Sequence, residues 1–314
     1  MGVTHHRILV IKHGALGDLI QGFDAFAGLR AGHPHAQIVL LTSPPFSGLA
    51  KRMPWFDEVI TDHRSPVLNL VQMFRIRSLL RAGWDMIIDL QCSGRTARYK
   101  RFLAPSGCRW FGTAKGASDP YPDFAGVNNA DRMKTAIAMA GGDATAEAEL
   151  DWLADDTNLP AACRNATILV PGCSLSKPQK RWPAPLFAEL ARREMAAGKT
   201  VVIVGTTADR EAADLVIDQA PGCLDLVGKT DLASLAGLMG VAGAVVGNDT
   251  GPVFLAARSG TPTLMIMGPD TDPSRSSPVG QRAGWIRKQP IGDISADEAA
   301  GALAGLRAEA PHPD

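Results

Sequence analysis

A single carboxylate, Asp18, stands at a glycine turn that otherwise has the form of an anion-binding loop. Residues 8–20 read ILVIKHGALGDLI, an apolar run, a glycine turn and the start of a second apolar segment. The stretch has neither the GxGxxG spacing of a dinucleotide loop nor the GK[ST] ending of a phosphate loop. The next apolar run, QIVLLTSPP, ends without the acidic residue that would bind a ribose. Asp18 is therefore a candidate general base at the carboxyl edge of a sheet. The alternative is that it only complements a helix dipole.

A second motif carries cations and hydroxyls in one turn-rich loop. Residues 171–183 read PGCSLSKPQKRWP, with Ser174, Ser176, Lys177, Lys180 and Arg181 before a proline suited to the first position of a helix. Cations beside a helix N-terminus bind diphosphates well. The loop is a candidate diphosphate site, with a plain basic surface loop as the alternative.

A third motif, VVGNDTGPVFLAARSGTPTLMIMGP, covers residues 245–269. It predicts a buried strand, an NDTGP turn and an apolar helix that begins near Pro252. N–H groups at such a helix start can bind an anion, and Asp249 can accept hydrogen bonds from sugar hydroxyls. The alternative is a helix cap formed by Thr250 or Gly251 and no more.

These motifs require parallel strands whose carboxyl ends lie side by side. Short apolar runs alternate with helix-length amphipathic segments, which is typical of α/β domains with doubly wound parallel sheets. Strands are predicted over 7–12, 37–42, 58–61, 86–89, 109–112, 166–170, 200–204, 224–226, 243–246 and 263–267. Predicted helices include 17–30, 67–81, 184–197, 209–219, 232–239 and 252–259.

A polar, proline-containing stretch over 151–165 separates two such blocks. It predicts an N-terminal domain over 1–155 and a C-terminal domain over 156–314, with the last helix a candidate to pack back on the first domain. The carboxylate loop falls in the first domain and both diphosphate loops in the second. A nucleotide diphosphate held by one domain and facing a base on the other predicts a group transferase with its site in the cleft between them.

Composition restricts the partners. The 314 residues are 46% hydrophobic and 20% charged, with a formal net charge of zero, so bulk attraction to nucleic acid or membrane is not expected. Five scattered cysteines fit a reduced, cytoplasmic chain, and the sparse histidines lack metal-ligand spacing, so no bound metal is expected. No apolar run is long enough for a membrane span, which predicts a soluble or peripheral protein.

Charge is nevertheless uneven along the chain. Residues 1–150 carry 17 basic and 13 acidic side chains, and the rest carry 15 and 19. Within 65–109 eight basic residues face only two acidic ones. We expect either a solvated helical face or a binding surface for an anionic acceptor, for which Arg95, Arg98 and Arg101 are the candidate residues.

Five stretches in this order and spacing resemble glycosyltransferase family nine, the ADP-heptose:lipopolysaccharide heptosyltransferases. They are ILVIKHGALGDLI, KRWP, VVIVGTTADRE, LVGKTDLASLAGLM and VVGNDTGPVFLAARSGTPTLMIMGP, and the resemblance runs from about residue 7 to 290. It implies a GT-B fold, in which two Rossmann-like domains bind the acceptor and the nucleotide sugar. It also implies inverting transfer of a heptose from an ADP-sugar to the lipopolysaccharide inner core, with no cofactor and no metal.

The resemblance further implies two partners and a location. The partners are a nucleotide-sugar donor and a lipid-linked anionic saccharide acceptor, with no nucleic acid. The implied location is the cytoplasm, with peripheral contact at the inner face of the inner membrane.

The resemblance also implies roles for individual residues. The family's proposed base corresponds to Asp18, and the lysine of its K-x-W-P motif to Lys180. Segments 204–207 and 227–230 match the parts that contact adenosine. The donor-binding residues expected in this way are Lys180, Asp249, Thr250, Gly251, Ser174, Thr206 and Lys229.

The chain departs from the family pattern at three places. Val170 and Phe254 stand where family members commonly carry histidine, and the GPTDP pattern becomes GPDTDPSRSSP over 268–278. Two other functions on the same fold stay open at this point: a nucleotide-sugar epimerase, and a nucleotide-sugar-binding protein without catalysis. The retained Asp18 favours the transferase, because a protein that only binds has no need of a base.

Overall fold

The computed structural model describes residues 6–64, 69–153, 159–174 and 177–309. The chain forms two compact units, Met1–Trp152 and Leu153–Asp314. Each unit has a parallel sheet of its own, which gives the α/β class and the pair of doubly wound domains expected from the sequence. No helix within the described ranges has the length and apolar character needed to cross a membrane.

The first unit alternates strands and helices. Its elements are β1 (Arg7–Ile11), α1 (Leu16–Gln21), α2 (Phe23–Gly32), β2 (Gln37–Thr42), α3 (Ser47–Ala50), β3 (Glu58–Thr61), α4 (Leu70–Leu80), β4 (Met86–Asp89), α5 (Gly94–Phe102), β5 (Arg109–Gly112), β6 (Asp119–Pro120) and α6 (Asn129–Met139).

The sheet of the first unit has the order β3-β2-β1-β4-β5-β6, and each neighbouring pair is parallel. Helices α4 and α5 cover one face, where Ile76, Leu80, Tyr99 and Leu103 pack on strand residues such as Ile87. Helix α6 contacts α1 and α2. Asn69 caps α4, and Ser93 caps α5 with a reciprocal bond from Thr96, so both helices have a defined start.

The second unit repeats this alternation. Its elements are β7 (Thr167–Val170), α7 (Ala184–Ala196), β8 (Val201–Ile203), α8 (Arg210–Gln219), β9 (Leu224–Asp225), α9 (Leu232–Val241), β10 (Ala244–Asn248), α10 (Gly251–Arg258), β11 (Thr263–Met267), β12 (Ala283–Arg287) and α11 (Ala296–Ala308).

The sheet of the second unit has the order β12-β11-β10-β7-β8-β9 and is also parallel throughout. Its core includes Trp182 and Phe187, whose rings meet edge to face at 4.7 Å. Helix α11 packs in this core through Ala299 and Leu303; its return to the first unit stays a prediction.

All ten predicted strands are present, whereas the helix prediction needs one correction. The continuous helix expected over 17–30 is two helices, because the chain closes a tight bond from the Gly22 N–H to the Leu19 carbonyl and starts again at Phe23. Glycine is a poor helix former, so a break at this residue costs little. Of the helix expected over 67–81, the first two residues lie outside the described residues.

Candidate functional site

The carboxyl ends of β1 and β4 form the topological switch point of the first sheet, where open α/β sheets bind ligands. Gln91 fixes the turn after β1, since its side-chain oxygen accepts bonds from the N–H groups of His13 (2.9 Å) and Gly14 (3.2 Å). Gly14 has φ +128°, and a Cβ there would lie 2.3 Å from the Phe46 ring. Only glycine fits this turn, which brings the start of α1 to the switch point.

Asp18 lies in the first turn of α1 with its side chain 43% exposed. Its Oδ2 is 3.6 Å from the Nζ of Lys12, and its Oδ1 accepts a bond from the Asn129 amide at 3.3 Å. Lys12 is only 1% exposed and also donates to the Leu90 carbonyl at 3.4 Å. Two anchored groups therefore hold one carboxylate at the solvent boundary, as a general base requires.

The Lys12 amine is electrostatically unusual. Burial lowers its pKa from the ordinary value, and the nearby Arg132 acts in the same direction, while Asp18 opposes both. The Asp18 carboxylate is thus the main group that favours the charged amine, because an opposite charge within a few ångströms stabilises the charged form.

A buried polar cluster that the sequence analysis did not identify lies beside this turn. The Tyr99 hydroxyl donates to the Oδ2 of Asp62 at 2.5 Å, and the Nε2 of His13 lies 3.0 Å from the same oxygen, though off the hydrogen-bond direction. Burial by itself raises the pKa of Asp62, but His13, Tyr99 and the Arg64 N–H outweigh it and hold that pKa well below its usual range. Burial and the Asp62 carboxylate raise the pKa of Tyr99 to about 12.

The three candidate acceptor arginines lie on α5 but do not share one environment. Arg95 is half-buried and donates to the Arg64 carbonyl at 2.9 Å, near the Asp62 cluster. Arg98 and Arg101 are exposed, and the Arg101 guanidinium lies over the Phe102 ring at 5.0 Å. Arg95 thus belongs to the carboxyl edge of the sheet, whereas the other two extend a basic surface along the helix.

The second sheet has its own switch point, between β7 and β10. The fully buried Asn248 joins the two strand ends, since its amide donates to the Pro171 carbonyl and its oxygen accepts from the Trp182 N–H, both at 2.8 Å. The Trp182 indole donates to the Ile294 carbonyl at 2.8 Å. This framework fixes the loop that carries Lys180.

Lys180 and Asp249 form an ion pair at this switch point, and the Thr271 hydroxyl donates to the same carboxylate at 2.7 Å. The side chains of Lys180 and Asp249 are 14% and 7% exposed, so the pair is largely removed from solvent. Gly268 allows the loop to lie this close, because a Cβ there would be 2.2 Å from the Gln179 carbonyl oxygen. Two motifs far apart in the sequence therefore meet, as the sequence suggested.

Thr250 precedes α10 and is its N-cap residue by position, yet its side chain makes no capping bond. Its buried hydroxyl has no hydrogen-bond partner in the part of the chain that the structure describes. A buried polar group of this kind is costly unless something pairs with it. Thr250 and Gly251 directly follow Asp249, the partner of Lys180, so this hydroxyl and the start of α10 come next in the chain to the ion pair, a suitable arrangement for a phosphate.

The remaining donor candidates lie in other loops. The Thr206 hydroxyl bonds to Asp209 at 2.8 Å in a capping box, and Lys229 donates to the Asp225 carbonyl at 2.8 Å. The loops of Thr206 and Lys229 are joined by a bond from the Gly228 N–H to the Gly205 carbonyl at 2.9 Å. Ser174 is exposed, and the neighbouring Ser176 lies outside the described residues. The structure thus places Thr206 and Lys229 together after β8 and β9, and β8 is the direct neighbour of β7, the strand that leads to the Lys180 loop.

Val170 and Phe254, where the sequence departs from the pattern expected of the resemblance, are core residues here. Val170 is 2% exposed and Phe254 is 4% exposed. A Cβ added at Gly247 would lie 2.6 Å from the Cβ of Val170. Both positions therefore contribute apolar packing next to the switch point.

Several residues of both sites were missed from the sequence. They are Lys12, His13, Asp62, Tyr99, Asn129, Asn248 and Thr271. The available signal for four of them was a polar residue at the end of a predicted apolar strand or within two residues after it, as at Lys12, His13, Asp62 and Asn248. Among the described residues, no three His, Cys, Asp or Glu side chains form a group suited to a metal ion.

Two doubly wound parallel-sheet units are the architecture of the GT-B class, and comparisons with known proteins identify the family. Residues 128–296 match the model of glycosyltransferase family 9 (heptosyltransferase). Lipooligosaccharide heptosyltransferase 2 of Haemophilus influenzae is 32% identical over 90% of this chain and 88% of its own length. Lipopolysaccharide heptosyltransferase 2 of Salmonella typhimurium is 26% identical over the same shares.

The solved structure of E. coli ADP-heptose lps heptosyltransferase II shares the fold, with a TM-score of 0.78 at 23% identity over 96% of this chain and 98% of that one. The chain belongs to glycosyltransferase family 9. The resemblance inferred from the five motifs is thereby confirmed, and so is the fold class.

Proposed function

We propose that the protein transfers a heptose from ADP-heptose to the inner core of lipopolysaccharide, with inversion at the anomeric carbon. Family membership supports a glycosyltransferase, and the names of its relatives supply the heptose, the ADP and the lipopolysaccharide. The observation that carries the proposal is that the two switch points hold side chains of different chemistry. The first switch point presents a half-exposed carboxylate. The second presents Lys180 paired with Asp249, and the next residue carries a buried hydroxyl with no partner among the described residues.

In this proposal the second unit binds the donor. Lys180, the Thr250 hydroxyl and the start of α10 neutralise the diphosphate, and more strongly so when charge grows on it as the bond to the sugar breaks. Asp249, fixed by Thr271, accepts bonds from sugar hydroxyls. Thr206 and Lys229 contact the adenosine, and Ser174 is the outermost donor residue.

The first unit supplies the base. The acceptor oxygen attacks the anomeric carbon, its proton passes to Asp18, and the bond from that carbon to the diphosphate oxygen breaks, so that ADP leaves from the opposite face. Lys12 and Asn129 hold the Asp18 carboxylate in place for this step. A positioned base contributes roughly 10²–10⁴-fold to such a rate.

The acceptor is a lipid-linked anionic saccharide, and Arg95, Arg98 and Arg101 meet its phosphates or acidic sugars. Protein side chains supply the positive charge that neutralises both anionic substrates, so we propose that the reaction needs neither a metal ion nor a cofactor. The substrate's lipid places the reaction at the inner face of the cytoplasmic membrane, with the protein bound peripherally.

The test is release of ADP from ADP-heptose in the presence and absence of lipopolysaccharide truncated at the inner core. We expect release that depends on the acceptor, a product heavier by one heptose in mass spectrometry, and full turnover in a chelator. Asp18→Asn should lower kcat by roughly 10²–10⁴-fold and leave ADP affinity unchanged. Release of nucleotide without acceptor, or interconversion of the sugar, would favour the epimerase. Loss of ADP binding in Asp18→Asn would contradict the assignment of the base.

A further inference from the structure

The outer face of α4 is unusually apolar for a helix exposed to solvent. Leu70, Val71 and Phe74 are 66%, 70% and 68% exposed, the three highest values for large apolar side chains among the described residues. Ile76 and Leu80 of the same helix are buried against the sheet. At 100° per residue, Leu70, Val71 and Phe74 fall within one sector of the helix, opposite the buried residues.

The same surface is basic. Residues 63–84 contain four arginines and no acidic residue. Arg75 and Arg77 are exposed on α4, just beyond the apolar group. The neighbouring α5 adds Arg98 and Arg101 and again contains no acidic residue. The helix therefore has the pattern of an element that lies in a bilayer interface, with apolar side chains toward the lipid and cations at anionic headgroups.

We propose that the outer face of α4, formed by Leu70, Val71, Phe74, Arg75 and Arg77, docks the protein on the surface of an anionic lipid bilayer. Charge complementarity favours this occupant over a second copy of the chain. Two copies would bring the same arginines together around their apolar residues, and like charges at an interface are unfavourable.

The position of the helix gives the docking a direction. α4 begins at the carboxyl edge of the first sheet, where the Gln72 side-chain amide donates to Asp62 at 3.0 Å. Asp62 contacts His13, in the turn that leads to Asp18. The inference rests on the proposed function in one respect: a lipid-linked acceptor would then reach Asp18 from the side on which the bilayer lies.

The test is co-sedimentation of the full-length protein with vesicles of phosphatidylcholine, alone or mixed with phosphatidylglycerol. We expect binding to the mixed vesicles that weakens with salt. Leu70→Ser/Val71→Ser/Phe74→Ser should lower the partition coefficient at least about tenfold, because it removes the apolar surface. Arg75→Glu/Arg77→Glu should lower it by about tenfold or more on mixed vesicles only.

Two matched variants serve as controls. Met139→Ser/Val279→Ser removes exposed apolar side chains elsewhere, and Lys51→Glu/Arg192→Glu makes the same change in net charge at exposed positions outside α4. Both should bind like the wild type. Unchanged thermal melting of the apolar triple variant would show that it is folded.

Three results would overturn the inference: no vesicle binding by the wild type, wild-type binding by the apolar triple variant, or a dimer in solution that this variant converts to a monomer. Turnover with a deacylated, soluble acceptor separates this inference from the proposed function. The apolar triple variant should keep that turnover. If the wild type binds vesicles through α4 but transfers no heptose to either acceptor, the proposed function fails while the docking surface stands.

Discussion

The ion pair of Lys180 and Asp249 allows the ligand role of a lysine to be separated from its structural role. Lys180→Met removes the cation from a pair that is 14% and 7% exposed and leaves the carboxylate with the Thr271 hydroxyl as its partner. Breaking a fully buried pair in this way costs about 3–5 kcal/mol. Because Asp249 keeps one hydrogen bond and some exposure, we expect Lys180→Met to lower the free energy of unfolding by about 2–3 kcal/mol.

The effect on ADP is separate. A hydrogen bond to a charged group contributes about 1.5–3 kcal/mol, so losing the one from Lys180 to the diphosphate should weaken ADP binding roughly 10–150-fold. Calorimetric titration of ADP and thermal melting measure the two effects independently. Lys177→Met removes an exposed cation from the same loop and is the matched control. It should change the ADP affinity and the melting temperature only slightly.

The decisive variant is Lys180→Met/Asp249→Asn. An amide at 249 can still accept the Thr271 hydroxyl and carries no charge, so most of the lost stability should return. The ADP affinity should stay low, because the cation for the diphosphate is still missing. Recovery of wild-type ADP affinity in the double variant would refute the reasoning, since it would mean that Lys180 only neutralises Asp249.

Four further predictions concern the buried cluster, the basic surface and the glycine loop. The raised pKa of Tyr99 stabilises the fold below pH 10, and this stabilisation is lost as the pH rises toward 12. Tyr99→Phe should therefore make the melting temperature depend less on pH between 10 and 12. The lowered pKa of Asp62 stabilises the fold above the ordinary carboxyl pKa of 3.8, and this stabilisation is lost in stronger acid. Asp62→Asn should therefore lower the melting temperature at neutral pH and make it less sensitive to acid, as melting curves against pH would show. Arg98→Glu/Arg101→Glu should raise the KM for the acceptor and leave ADP binding alone; a change in thermal stability only would favour a merely solvated face. Gly268→Ala should weaken ADP binding, because its Cβ would be 2.2 Å from the Gln179 carbonyl and would displace the loop; wild-type affinity by calorimetry would contradict this.

The fold was predictable where apolar runs are long and bounded by turns. The strands missed were β6, which has two residues, and β12, whose AGWIR sequence is mostly half-exposed at the edge of its sheet. Such strands bury too little apolar surface to show a pattern, and their pairing comes from the neighbouring strand. The break at Gly22 was missed for a related reason, because the apolar periodicity continues on both sides of it.

The site was predictable loop by loop but not contact by contact. Glycine turns and strand ends located Asp18, Lys180 and Asp249. The bond between Tyr99 and Asp62 joins residues 37 positions apart, and nothing in local spacing shows that α5 lies over the end of β3. Sheet order decides such contacts, and the sequence alone leaves that order open.

Hydrogen bonds and charges explain why the two similar turns carry opposite chemistry. In the first unit the N–H groups of His13 and Gly14 already donate to Gln91. The nearest cation, Lys12, is buried and lies against the Asp18 carboxylate. An anion at this turn would meet a negative charge and donors that are already in use.

In the second unit the corresponding position is suited to the opposite ligand. Lys180 retains some exposure, and the buried Thr250 hydroxyl has no partner among the described residues. A phosphate bound there would accept a hydrogen bond from the hydroxyl and would share the Lys180 cation with Asp249. At Asp18 a phosphate would have to displace an existing hydrogen bond and approach a like charge. We therefore propose that the two switch points discriminate between nucleotide and acceptor through their hydrogen bonds and charges, although both are built on the same strand, turn and helix.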